Sequence, residues 1–195
     1  MLDAAVAVFS TAGFHAASMD EIAERAGISK PMVYAYLGAK EELFIACVHR
    51  EGTRLMESIV AAAAPGLPPD EQLWRGLRAF FAFVAGHREG WSVLYRQARG
   101  QERFAAEVAG MRHRMVEVVA GLLTTSGRAV PADDVMPVAY ALVGACESVA
   151  DWIVENPVEP PEVTATRLMH MLRLDLGAPT VGSGAAGRRA GGQKD

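Results

Sequence analysis

Residues 18–40 read SMDEIAERAGISKPMVYAYLGAK, and this stretch spells two short helices joined by a tight turn. Ser18 is an N-cap type of residue, and Glu21 three positions on predicts a capping box in which each side chain satisfies a backbone donor of the other. Asp20 and Glu21 put negative charge at the helix start, where the helix dipole favours it. Ile22, Ala23 and Ala26 recur at helical spacing and leave Glu24 and Arg25 to solvent. Gly27 ends the helix, because the turn calls for a positive φ that glycine adopts without steric cost. Ser29 is placed to cap the second helix, and Pro31 is tolerated in its first turn, where a backbone N–H has no intrahelical partner. Val33 and Leu37 face inward, leaving Lys30, Met32, Tyr34, Ala35 and Tyr36 on or beside the outward face. That mixture suits a helix lying in a DNA groove, its N-terminal residues at base edges and flanking groups on phosphates.

Working outward, residues 4–44 read AAVAVFSTAGFHAASMDEIAERAGISKPMVYAYLGAKEELF. The AxxxF of the first helix, the Gly13-Phe14 step, the Ile22-Ala23 pair and the Ala26-Gly27-Ile28-Ser29 turn stand in register with Tyr34, Tyr36 and the helix start Lys40-Glu41-Glu42-Leu43. Over residues 2–44 the chain closely resembles the DNA-binding region of the tetracycline-repressor (TetR) family of transcriptional regulators. The resemblance implies that Lys30, Pro31 and Met32 approach base edges, that Tyr34 and Tyr36 touch phosphates, and that Lys40 holds a phosphate at the entrance to the fourth helix. Ser18 and Ser29, at the two helix starts, complete the DNA-facing set. The chemistry agrees, since a phenol hydroxyl donates to a phosphate oxygen and an ammonium adds charge attraction with counterion release. Met32 departs from the small hydroxyl residue usual in the family and suits an apolar contact with a thymine methyl.

The first 50 residues carry four basic side chains (Arg25, Lys30, Lys40, Arg50) against six acidic ones (Asp3, Asp20, Glu21, Glu24, Glu41, Glu42). Members of the family usually have several basic residues before the first helix. The acidic head therefore predicts modest, salt-sensitive DNA affinity, and the true start of the protein is expected upstream of Met1. Over 195 residues the formal net charge is −4 and half the residues are apolar, which fits a small soluble regulator and argues against a generic nucleic-acid coat. Cys47 and Cys146 have no CxxC partner, and the five histidines are scattered, so neither a disulfide framework nor a metal site is expected. The uncharged run 135–146 is shorter than the roughly 20 apolar residues of a membrane span, and the unpaired cysteines suit the reducing cytoplasm in which the chain is expected.

Beyond the head the pattern is helical throughout, without a β signature. A helix over 41–64 would reach about 30 to 35 Å before Pro65-Gly66-Leu67-Pro68-Pro69 interrupts it. Asp70 is expected to cap the next helix, whose apolar face includes Leu73, Trp74, Leu77, Phe80, Phe81 and Val84. A short helix follows over 91–98. Over 101–125 a single stripe carries Phe104, Val108, Met111, Met115, Val118, Val119 and Leu122, with Arg112, Arg114 and Glu117 outside it. Gly127, Pro131 and Asp133-Asp134 mark a loop and a new start. The sequence thus predicts an all-α protein: a three-helix helix-turn-helix head over 1–45, a larger helical ligand-binding and dimerisation body over 46–177, and a disordered tail over 178–195.

The segment 134–155 is apolar on two faces, Val138, Leu142, Ala145, Val149 and Ile153 on one and Tyr140, Val143, Glu147 and Val154 on the other. The next helix shows a broad side through Ala165, Leu168, Met169, Leu172 and Leu176. Together these eighth and ninth helices predict a two-fold, four-helix homodimer interface. It would set two recognition helices roughly 34 Å apart on a palindromic operator. Trp74, Phe81, Trp91, Tyr95, Met111, Met115 and Tyr140 are candidate walls of a pocket for a small apolar or amphipathic effector, although for any one of them plain core packing is the commoner role of such a stripe. Glu147 is its polar anchor, or the partner of an arginine such as Arg78 or Arg96. No cofactor is implied. His113, Tyr95 and Glu147 are titratable, but no nucleophile motif, phosphate loop or metal-ligand spacing makes an enzyme of the chain. The expected function is an effector-released repressor, and the alternative is a ligand-binding dimer that has lost DNA binding.

Overall fold

The computed structural model describes residues 1–125, 130–156 and 160–173, and no strand occurs among them. The loop marker Gly127, Leu176 and the tail over 178–195 lie outside the described residues, as does the side chain of Leu172. α1 (Leu2–Ala16) is buried on nearly every face from Ala4 to Phe9, because α2, α4 and α6 with the turn that follows it surround the helix. Those neighbours are α2 (Met19–Ala26), α4 (Lys40–Ala62) and α6 (Arg88–Trp91), and α1 kinks at Gly13, where φ is +75°. α2 (Met19–Ala26) and α3 (Lys30–Leu37) are joined by Gly27 at φ +68°, and Ile28 N–H donates back to the Ala23 carbonyl in a Schellman closure.

Several local expectations change. The Ser18 hydroxyl accepts from Asp20 N–H at 3.2 Å, so the predicted box with Glu21 gives way to a shorter loop back to the helix start. Reach-back of the box type occurs at α4 (Lys40–Ala62), where Glu42 accepts from Ala39 N–H at 2.7 Å. Ser29 occupies the N-cap position of α3, yet its hydroxyl makes no capping bond. α5 (Pro69–Gly86) begins with Pro68 as cap, which puts Asp70 inside the first turn. The expected helix over 91–98 is instead α6 (Arg88–Trp91) running directly into a π-helical turn, Ser92–Gln97. α7 (Glu102–Thr125), a 3₁₀ turn at Ala132–Asp134, α8 (Val135–Glu155) and α9 (Pro161–Arg173) complete the order.

Packing is dominated by α7 on α8, α4 on α5 and α5 on α9. The head's core is aromatic, with ring centroids 5.0 Å apart for Phe9–Phe44, 5.1 Å for Phe14–Phe44 and 5.1 Å for Phe14–Phe104. Phe104 belongs to α7, so the head borrows a wall from the body, and position 45 falls inside the continuous α4. Of the apolar side expected to make α9 a dimer face, Ala165, Leu168 and Met169 are buried within the chain, where α9 packs on α5. By length and hydropathy, a window within 132–155 would pass for a membrane span. In the fold α8 packs on α7 and α5, and its Glu147 and Asp151 are ion-paired to arginines of other segments.

Candidate nucleic-acid interface and ligand cavity

The outward side of α3 is built by what its inward side requires. Val33 is fully buried and Leu37 half-buried, which fixes the helix rotation and leaves Met32, Tyr34 and Tyr36 exposed, Tyr36 at 70%. Ser18, Ser29, Lys30 and Pro31 are exposed as well. Two of the expected DNA contacts already have protein partners. Lys30 Nζ lies 2.9 Å from Asp20 of α2, whose hydrogen bond and charge hold its pKa above the usual lysine value. Lys40 is half-buried: its Nζ donates to the His15 carbonyl at 2.8 Å and sits 5.1 Å from the Phe14 ring centroid. It therefore ties α4 to the end of α1, and keeps two further N–H donors.

A partly open cavity of about 420 Å³ lies in the body. One wall is α4 from Gly52 through Leu55 and Ile59 to Ala63; α5 adds Leu73, Leu77 and Phe80; α8 adds Leu142, Val143 and Cys146. The opposite wall is α7, through Val108, Met111, Met115, Val118, Val119 and Leu122. This is the stripe expected from periodicity, but it splits in function. Phe104, Val116, Ala120 and Leu123 seal α7 into the core, Val119 is buried at the cavity wall, and Val108, Met111, Met115 and Leu122 are half-buried because they border the void.

Of the residues expected in the pocket, Trp91, Tyr95, Met111, Met115 and Glu147 line the cavity. Trp74, Phe81 and Tyr140 do not. Phe81 is fully buried in the core, its neighbour Phe80 taking the lining position; Trp74 stacks with Arg78; Tyr140 is exposed beside His113. Sequence reasoning missed the α4 wall, having read that helix only as a connector, although Leu55 and Ile59 stand at the i, i+4 spacing of a buried face. It also missed Arg112, which the periodicity left outside the apolar stripe and which lines the cavity opposite an acidic residue on α8.

Glu147 has a partner other than the two arginines anticipated. Arg112 Nε donates to both of its carboxylate oxygens at 3.1 Å, and Arg99 Nη1 lies 3.7 Å away. Arg96 is held elsewhere, by Asp151 and Glu155. Tyr95 stacks on Trp91 with centroids 4.8 Å apart, and burial, then the charge of Glu147, push its phenol pKa up. Trp91 Nε1 donates to Asp151 at 3.1 Å. Among the described residues no cluster of His, Cys, Asp and Glu could hold a metal.

The cavity is wired to the head at two places. On α7, Arg103 pairs with Glu41 at 3.0 Å, Glu107 faces His49 at 3.3 Å, and Met111 Sδ lies 2.5 Å from where a Cβ on Gly52 would stand. The missing side chain lets α7 close on α4. The π-helical turn is the second link: Leu94 and Tyr95 border the cavity, while Gln97 lies against Gly13 of α1. π turns are rare and recur at functional sites.

Comparison with known proteins matches two stretches of the chain. Residues 1–47 match the bacterial regulatory proteins of the tetR family, and residues 69–174 match the tetracyclin repressor-like C-terminal domain. The chain is 30% identical over 169 residues to the HTH-type transcriptional repressor SCO4008 of Streptomyces coelicolor, covering 80% of this chain and 78% of that one. It is 36% identical over 95 residues to the HTH-type transcriptional activator FasR of Mycolicibacterium smegmatis, of whose length that match spans 43%. A TetR-like transcriptional regulator from Rhodococcus sp. RHA1 superposes with a TM-score of 0.76 at 47% identity, covering 88% of this chain and 93% of that one.

Proposed function

The chain belongs to the tetR family of bacterial regulatory proteins, and from that premise we propose that it is a dimeric, cytoplasmic, effector-responsive transcriptional regulator rather than an enzyme. Its head, over 1–45, binds a palindromic operator through residues 29–37, with Lys40 and Ser18 on flanking phosphates. Its body, from 46 onward, holds a small apolar or amphipathic effector. The observation that carries this reading is the continuity of one core: a surface of exposed aromatics on α3 is joined, through α4 and Phe104, to the wall of an apolar cavity.

Exposed large apolar side chains concentrate in two places besides the cavity rim. Three lie on α3 (Met32, Tyr34, Tyr36) and five on α8 and α9 (Met136, Tyr140, Trp152, Val163, Met171). The first set faces DNA. The second supports dimerisation through α8 and α9, with the small Ala141 and Ser148 allowing close approach of the partner helix. An effector that displaces Met111 from Gly52 favours a state in which α4 swings the two heads off operator spacing, so binding releases DNA. Repression is the sign proposed, as in the Streptomyces coelicolor relative.

Selection of bound DNA from a random pool at low salt tests the reading, with a Tyr34→Ala, Lys40→Ala double variant alongside. An enriched palindrome that the variant loses supports it. The rival reading, a ligand-binding dimer without operator, draws on the acidic head and on Lys30 and Lys40 being already partnered. No enrichment, with ligand binding retained, would favour that rival.

A further inference from the structure

The polar side chains of the cavity wall are unevenly placed. Around Ile59, Val60 and Ala63 the wall is apolar apart from Gln72, whose Nε2 is already bonded to the Leu67 carbonyl. Near Gly52 and Met111 the wall ends in Tyr95, Arg112 and Glu147. From Gly52 to Ala63 is eleven residues of α4, or about 16 Å of helix, so the space is long, with one polar end.

At that end, donors outnumber acceptors. A guanidinium carries five N–H donors, and Arg112 commits its Nε to Glu147. Its two terminal nitrogens make no hydrogen bond among the described residues. Both Glu147 oxygens are taken up by Arg112, and a second guanidinium, Arg99, stands 3.7 Å from one of them. A cationic group entering here meets two arginines and a carboxylate already shared. An acceptor-rich planar group meets the terminal nitrogens of Arg112 in the paired geometry that guanidinium and carboxylate share.

We infer that the effector is an elongated apolar molecule ending in a carboxylate, seated with that carboxylate on Arg112 and its apolar length running toward Ala63. The inference rests on the cavity being the effector site and adds the chemical class of the effector.

The test uses three straight-chain probes of one length, dodecanoate, dodecanol and dodecylammonium, titrated calorimetrically into the full chain. Dodecanoate is expected to bind at least about tenfold tighter than the other two, the scale of one charge-assisted bidentate contact. Arg112→Met should erase that advantage and leave dodecanol affinity within about twofold, which reports that cavity and fold survive. An Arg112→Met, Glu147→Gln double variant, free of an orphaned carboxylate, should behave the same way. If dodecylammonium binds tightest and Glu147→Gln abolishes it, the inference is overturned in favour of a cationic effector. Equal binding of dodecanoate and dodecanol overturns the inference and leaves the cavity reading standing. Binding of none of the three overturns both.

Discussion

The two halves of α4 meet opposite kinds of interior. Its first half sits against Phe9, Phe14 and Phe104, with Phe44 in the middle and ring centroids as close as 4.6 Å. Its second half borders a cavity of about 420 Å³. Close-packed interiors transmit strain and resist deformation, whereas helices around a void have alternative arrangements within reach. One helix therefore joins a close-packed head to a body built around a void, and on the proposed reading the two states belong to the body. The effector's work is done where packing is incomplete.

The strongest way to break that contrast is to open a hole in the sealed half. Phe104→Ala should destabilise the protein by about 3–5 kcal/mol, the usual cost of truncating a buried phenylalanine. Because this ring is contributed by α7 but packs on Phe14 and Phe44, operator affinity should fall together with the denaturant midpoint. A loss under about 1 kcal/mol would mean that the head core closes without the body.

The converse is to fill the hole. Added volume in a packed core costs about 1–3 kcal/mol, but Val108→Phe points into unfilled space and should change stability by less than about 1 kcal/mol. Effector response should be lost while operator binding persists. A large destabilisation would show that the cavity wall is already at packing density.

The same contrast explains what could be read in the sequence. The head was legible because its information is local: Gly27, Val33 and the outward tyrosines are fixed within about two helical turns of one another. Pocket membership was legible only by halves. Helical period identified Val108, Met111 and Met115 as one face, but a face bordering a void and a face sealed in a core have the same period. Phe80 and Phe81 are adjacent, and which of them faces the cavity depends on how α5 rotates against α4 and α9. The charge pair Arg112–Glu147 joins residues 35 apart in sequence. Each was visible alone, Glu147 as an acid needing a partner, but the match depends on the packing of α7 on α8.

On the DNA side, the expected effect is smaller and specific. Removing the Lys40 ammonium should reduce the slope of operator affinity against salt by about one unit and weaken binding on all sequences alike. The variant also loses the bond to the His15 carbonyl and the contact with Phe14, so a modest drop in stability accompanies it. If the salt slope were unchanged while stability fell, Lys40 would belong only to the head's internal structure.

The two cysteines sharpen the comparison at its finest scale, since one lies on each side of it. Burial pushes both thiols from 9.0 up to about 12, Cys47 beneath α1 and Cys146 on the cavity wall. A thiol that keeps its proton in the folded chain, while the unfolded chain loses it near pH 9, makes stability fall as pH rises from about 9 toward 12 and leaves it flat below that window. Within the window, a small neutral alkylating reagent should label Cys146 before Cys47, because it can enter the cavity without unfolding the chain. A bound effector should slow labelling of Cys146 and leave Cys47 unaffected. Mass spectrometry of the two cysteine peptides over time reads both rates. Equal rates, set for both by global opening, would mean that the cavity is as closed to solvent as the aromatic core, and that the two halves of α4 differ less than their packing indicates.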